Sequence, residues 1–165
     1  MTIEDDRVYD VQVLAFEGTP LNDMADRRSL MAEAHEIATG LPVLAGPITI
    51  VEGNVRMTAH DAYAQSFGRI VFAPRTMRRF TAVHEIAHIV HRRSQINTGT
   101  AHGWEYRGIF ADMIAIVYGE RYGELLRDAF CEQGMSVSHP ALPRTGVPLI
   151  DIDALADATL GSRWL

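Results

Sequence analysis

Phe80-Thr81-Ala82-Val83-His84-Glu85-Ile86-Ala87-His88-Ile89-Val90-His91-Arg92-Arg93 is the stretch on which the reading of this chain turns. Phe80, Val83, Ile86, Ala87 and Val90 recur at helical spacing and form one apolar stripe, interrupted by histidines. Within it lies H-E-x-x-H, carried by His84, Glu85 and His88. Residues four apart on a helix are offset by only about 40° and separated by roughly 6 Å of rise. Both imidazoles can therefore reach one metal ion from one face, at Zn–N distances of about 2.0–2.1 Å. Glu85, beside the first ligand, can take the proton of an activated water as general base. A chance match in a chain of this composition is on the order of one or two per cent.

A catalytic zinc needs a third protein ligand and leaves its fourth position open. His91 shares the stripe but sits about 10.5 Å along the axis from His84, too far for three ligands on one straight helix to converge. It is expected to be an outer or surface residue. His102 follows His88 by fourteen residues, across a polar loop at about 94–103, and can return to the metal from another direction. His102 is the favoured third ligand. Glu105 is its competitor, one turn further on.

The surrounding chain reads as α+β. Residues 7–17 fit helix and strand equally. Asn22 and Asp23 are capping candidates for a helix carrying Leu30, Met31, Ala34, Ile37 and Ala38, stopped by Gly40 and Pro42. Ile48–Val51 and Val55–Met57 flank Glu52-Gly53-Asn54 and read as a hairpin. Gly68–Ala73, ended by Pro74, reads as a third strand near a sheet edge, with helix from Thr76 onward. Tyr106, Phe110, Met113, Ile114 and Val117 mark one further helix with an apolar core face. Tyr122, Leu125, Leu126, Ala129 and Phe130 mark another, which Gly134 ends. The expected architecture is a small antiparallel sheet packed on helices. It is organised as a main domain over 1–135 and a Pro-containing connector with a short helix over 136–165. That last segment, with Pro140, Pro143 and Pro148 and a cap at Asp151 or Asp153, is read as a structural strap rather than a regulatory tail.

These residues resemble a family. A strand, an H-E-x-x-H helix, a loop and then His102-Gly103 with an aromatic at Tyr106 looks like the SprT-like zinc metallopeptidases. More narrowly, Ala101-His102-Gly103-Trp104-Glu105-Tyr106 is similar to HExxH metallohydrolases of high-GC bacteria and their phages. The resemblance covers about 47–133. It implies a zincin-like fold with the active helix following an edge strand, Zn²⁺ on His84, His88 and His102, catalysis through Glu85, and a peptide or protein substrate. SprT-like proteins linked to DNA repair carry a separate basic or zinc-ribbon part, which this chain lacks. A zinc-binding interaction module without catalysis, and a metal-dependent hydrolase of a non-peptide bond, are the alternatives.

Composition bounds the rest. With 165 residues, 47% apolar and 22% charged, the chain can bury one sizeable core. Its net charge of −6 argues against a broad nucleic-acid footprint. All 15 basic residues are arginine, which fits a GC-rich genome. The acidic start, the lack of a long apolar run and the single cysteine predict a cytoplasmic protein without a membrane span or disulfide framework. Cys131 is expected to be a small buried residue. Arg107, Tyr63 and His60 read as surface polar residues, with oxyanion stabilisation as the minority reading. Arg78-Arg79 and Arg92-Arg93 read as solvated faces.

Overall fold

A computed structural model describes residues 3–54, 62–65, 68–94, 101–138, 142–143 and 146–155. Its centre is helix α5, Trp104–Tyr118, in which every residue after Trp104 is buried. A helix buried on every side must be enclosed, and here α4 (Thr81–Arg93) and α6 (Glu120–Glu132) pack against it. Gly119 joins α5 to α6 at φ +115°, a backbone conformation that side-chain-bearing residues rarely adopt. Gly123 then lets the two helices close, since a Cβ there would stand 2.6 Å from the Ala115 Cβ.

Helix α1 (Ile3–Ala15) lies across α6, so residues 7–15 are helix and 16–17 belong to the turn that follows. Val8, Val11 and Phe16 enter the core. Helix α2 (Arg27–Gly40) packs on α4 and buries Leu30, Ala34 and Ile37. Its cap is Asp26, which accepts from the Ser29 N–H, not Asn22 or Asp23. Those two fall in and just after a 3₁₀ turn, Pro20–Asn22. A short helix, α3 (Pro42–Ala45), follows.

Three strands form a mixed sheet, which corrects the antiparallel expectation. β2 (Thr49–Glu52) pairs parallel with β4 (Arg69–Phe72), and β3 (Ala62–Gln65) pairs antiparallel with β4. The order β2-β4-β3 puts β4 in the middle, so the strand read as an edge is central. Its burial follows, with Ile70, Val71 and Phe72 all inside. β3 and β4 pair as neighbouring antiparallel strands; the expected partner strand Val55–Met57 of a hairpin around Glu52–Asn54 lies outside the described residues. Before α4 the chain makes β5 (Met77–Arg78), which pairs with β1 (Met24–Ala25), so helix begins at Thr81 rather than Thr76. Among the described residues no helix is long and apolar enough to cross a membrane.

Arg92 and Arg93 are exposed, as the solvated-face reading expects, whereas Arg78 and Arg79 are partly buried, and all four tie elements together. Arg78 donates to the backbone and side chain of Asn22, Arg92 to the Ala64 carbonyl and Arg93 to the Pro47 carbonyl. Arg79 meets Glu33 of α2, which also accepts a short hydrogen bond from Tyr118 of α5. Burial pushes the Glu33 carboxyl above its ordinary value of 4.5, against the opposing effects of the Tyr118 hydrogen bond and the Arg79 charge. The native state therefore keeps a proton that the unfolded chain has released. This stabilising contribution is complete below the unfolded value and is lost as pH rises through the raised native one. Glu33→Gln removes the ionisation while keeping an acceptor for Tyr118. Its melting temperature should fall less between pH 4.5 and neutrality than that of wild type. Parallel pH profiles for the two proteins would contradict this assignment.

The segment after α6 lies along α5. Gly134 at φ +68° ends α6, with the Met135 N–H returning to the Phe130 carbonyl. Ser138 N–H donates to the Trp104 carbonyl, and Gly108 leaves the room: a Cβ there would come within 1.7 Å of the Ser138 Oγ. Further on, Leu149 and Ile150 donate to the Ile116 and Val117 carbonyls, and Ile150 and Ile152 are buried. Asp151 caps a last helical turn at 152–155 by accepting from Ala154 N–H, as one of the two expected caps. Cys131 is exposed on α6, which corrects its expected burial.

Candidate metal centre

Helix α4 places His84 and His88 on one face, and the turn before α5 brings His102 to them. The ligand nitrogens of these three buried histidines all lie within 4.8 Å of one another. His84 Nε2 is 3.2 Å from His88 Nε2 and 3.4 Å from His102 Nε2. His84 Nδ1 faces the Gln12 side-chain oxygen at 3.1 Å, so the ring proton belongs on Nδ1 and the lone pair on Nε2. One lone pair is thus approached by two further ring nitrogens. A cation at the centre resolves this crowding. Tetrahedral coordination with bonds of about 2.0–2.1 Å sets ligand nitrogens roughly 3.3–3.4 Å apart, close to both separations. These three histidines are therefore placed to bind a metal ion.

Electrostatics suit the same role. Burial, and then the neighbouring His88 and His102, hold the His84 pKa well below the usual 6.5, which keeps this imidazole neutral as a ligand must be. Around it stands a shell of rings. Tyr106 stacks on His88 at 4.3 Å and donates its hydroxyl to the His84 carbonyl at 3.2 Å. Phe110 meets His84 edge-on at 5.4 Å, and Tyr9 of α1 stacks on it at 4.7 Å. Tyr106, Phe110 and Met113 are core residues, as expected, and the first two also wall the site.

His102 is fixed through its backbone. Arg107 donates Nη1 to the His102 carbonyl at 2.8 Å and Nε to the Ser136 carbonyl at 2.7 Å. Arg107 is thus a buried strut, not the surface residue expected. Glu85 is buried, 2% exposed, on the helix that carries His84 and His88. His91 is buried against Tyr106, their ring centres 5.9 Å apart, and stands outside the cluster. Glu105 is also buried and also outside it, so of the two candidates it is His102 that lies with His84 and His88. Tyr63 lies on β3, half exposed, while His60 falls outside the described residues.

His102→Ala should therefore lower metal affinity by more than ~100-fold, beyond the loss from removing an outer partner. His91→Ala should change it only a few-fold. Chelator competition on both variants checks this, and a Glu105→Ala protein that loses the metal instead would reinstate the carboxylate ligand.

The sequence reading missed Tyr9 and Gln12. Their only signal was a polar residue inside the apolar run Val11-Gln12-Val13-Leu14, with Tyr9 three positions earlier on the same helical face. No family model, curated protein or solved structure matches this chain.

Proposed function

We propose that this protein is a zinc-dependent hydrolase of peptide bonds, with His84, His88 and His102 as ligands and Glu85 as general base. The observation that carries the reading is the meeting of three Nε2 atoms beside a buried glutamate on the same helix. An all-imidazole donor set suits zinc among the common divalent ions, whereas magnesium and calcium require oxygen ligands. Three protein ligands, with no fourth converging among the described residues, is the pattern of an open catalytic site rather than a closed structural one. This favours catalysis over the interaction-module alternative. The motif-level resemblance to SprT-like peptidases points the same way.

Zinc bound there would supply Lewis acidity, polarising a carbonyl and acidifying water. The chain's own residues do the rest. Glu85 accepts a proton on its carboxylate and returns it to the leaving amine. Tyr106, Phe110 and Tyr9 enclose the ligand rings and hold water away from their faces. The edge strand beside the active helix is β3, so an extended peptide would add to β3 rather than to the central β4. The test is metal content and cleavage of an unfolded protein by the zinc-loaded chain, with and without Glu85→Gln. A loaded wild type inert on peptides would leave the interaction module or another bond as the reading.

A further inference from the structure

Helix α1 is remote in sequence from every ligand, yet it delivers two side chains to His84. Tyr9 lies face-on to the ring, its plane inclined by 27°. Gln12, one turn later and fully buried, presents its Oε1 to Nδ1 at 3.1 Å. These two contacts lock both the plane of the imidazole and the place of its proton.

Gln12 is costly where it sits. A buried amide without full hydrogen bonding loses the solvation it had in water at each unmet group. Its Nε2 has no hydrogen-bond partner among the described residues, so only the carbonyl end is satisfied. An aliphatic side chain would fill the same space without that penalty. The contact with His84 is what distinguishes an amide from an aliphatic residue at this position.

We propose that Gln12 is a positioning residue for the metal centre: its carbonyl holds His84 as the Nδ1-protonated tautomer, with Nε2 turned toward His88 and His102. The inference rests on the metal-binding reading above and adds the N-terminal helix to that site. The alternative tautomer would put a proton on Nε2 and remove the lone pair that a cation needs. Outer partners of this kind raise ligand basicity and fix ring orientation, and their loss typically costs about 10–100-fold in metal affinity.

The experiment measures Zn²⁺ affinity by chelator competition for wild type, Gln12→Leu and Gln12→Glu. It is read beside the ¹⁵N histidine spectrum of the metal-free wild type. The expected result is a loss of about 10–100-fold for Gln12→Leu with its thermal melt retained. Gln12→Glu, whose carboxylate accepts the same Nδ1 proton, should match or exceed wild type. His84 should carry its proton on Nδ1 in the metal-free spectrum, a readout that stands even if the Leu variant does not fold. Equal affinity in wild type and Gln12→Leu overturns the proposal and leaves the metal site intact. A loss in Gln12→Glu as large as in Gln12→Leu, or an Nε2-protonated His84, overturns it too. A wild type that binds no zinc overturns the metal reading and this inference together.

Discussion

Glu85→Gln should retain stoichiometric zinc and the wild-type melting temperature while peptide turnover falls by about 10²–10⁴-fold, the usual contribution of a positioned general base. The glutamine keeps the size and hydrogen-bonding shape of the glutamate but cannot accept a proton. The ligands keep supports of their own: His84 is held by Gln12 and Tyr9, His88 stacks on Tyr106, and the His102 carbonyl is held by Arg107. Turnover and metal content are measured on the same preparation. Unchanged turnover with full zinc would remove Glu85 from the mechanism, whereas loss of zinc would make it a structural support for the site.

Truncation after Ser136 should lower stability by about 3–6 kcal/mol, because Ile150 and Ile152 are buried and each such side chain contributes roughly 1.5–3 kcal/mol. Two polar anchors go as well. The fully buried Asp112 carboxylate accepts from Arg127 and from the Leu142 N–H, and Arg127 also donates to the Ser138 carbonyl. Removal of the segment strips both of these contacts from the Asp112–Arg127 pair. Against a total of about 5–15 kcal/mol for an ordinary domain, the loss should depress the melting temperature by roughly 10–20 °C or unfold the chain. A truncated protein that melts like wild type but cleaves peptides faster would turn the strap into a regulatory tail.

Part of this molecule was legible because the relevant physics is local. His84, Glu85 and His88 share a face through helix geometry alone. Helix α5 declared itself by its apolar residues, and Gly134 by its position after a helical run. Two arginines, by contrast, were misread. Arg79 and Arg107 were expected at the surface, but Arg79 is partly buried against Glu33 and Arg107 is buried against the Ser136 carbonyl, partners tens of residues away.

The sequence by itself placed His84, Glu85 and His88 together on one helix, since their grouping follows from a spacing of four residues or fewer. It also favoured His102 as third ligand, with Glu105 as its competitor, because both follow the loop after the helix. Tertiary structure brought His102 rather than Glu105 to the two helix histidines, placed β4 in the middle of a mixed sheet, and brought Tyr9 and Gln12 to a histidine 72 positions from Gln12. The reason is the range of the forces. Helical periodicity is written into neighbouring residues. Strand order and an outer hydrogen bond instead depend on which distant surfaces the core packs together.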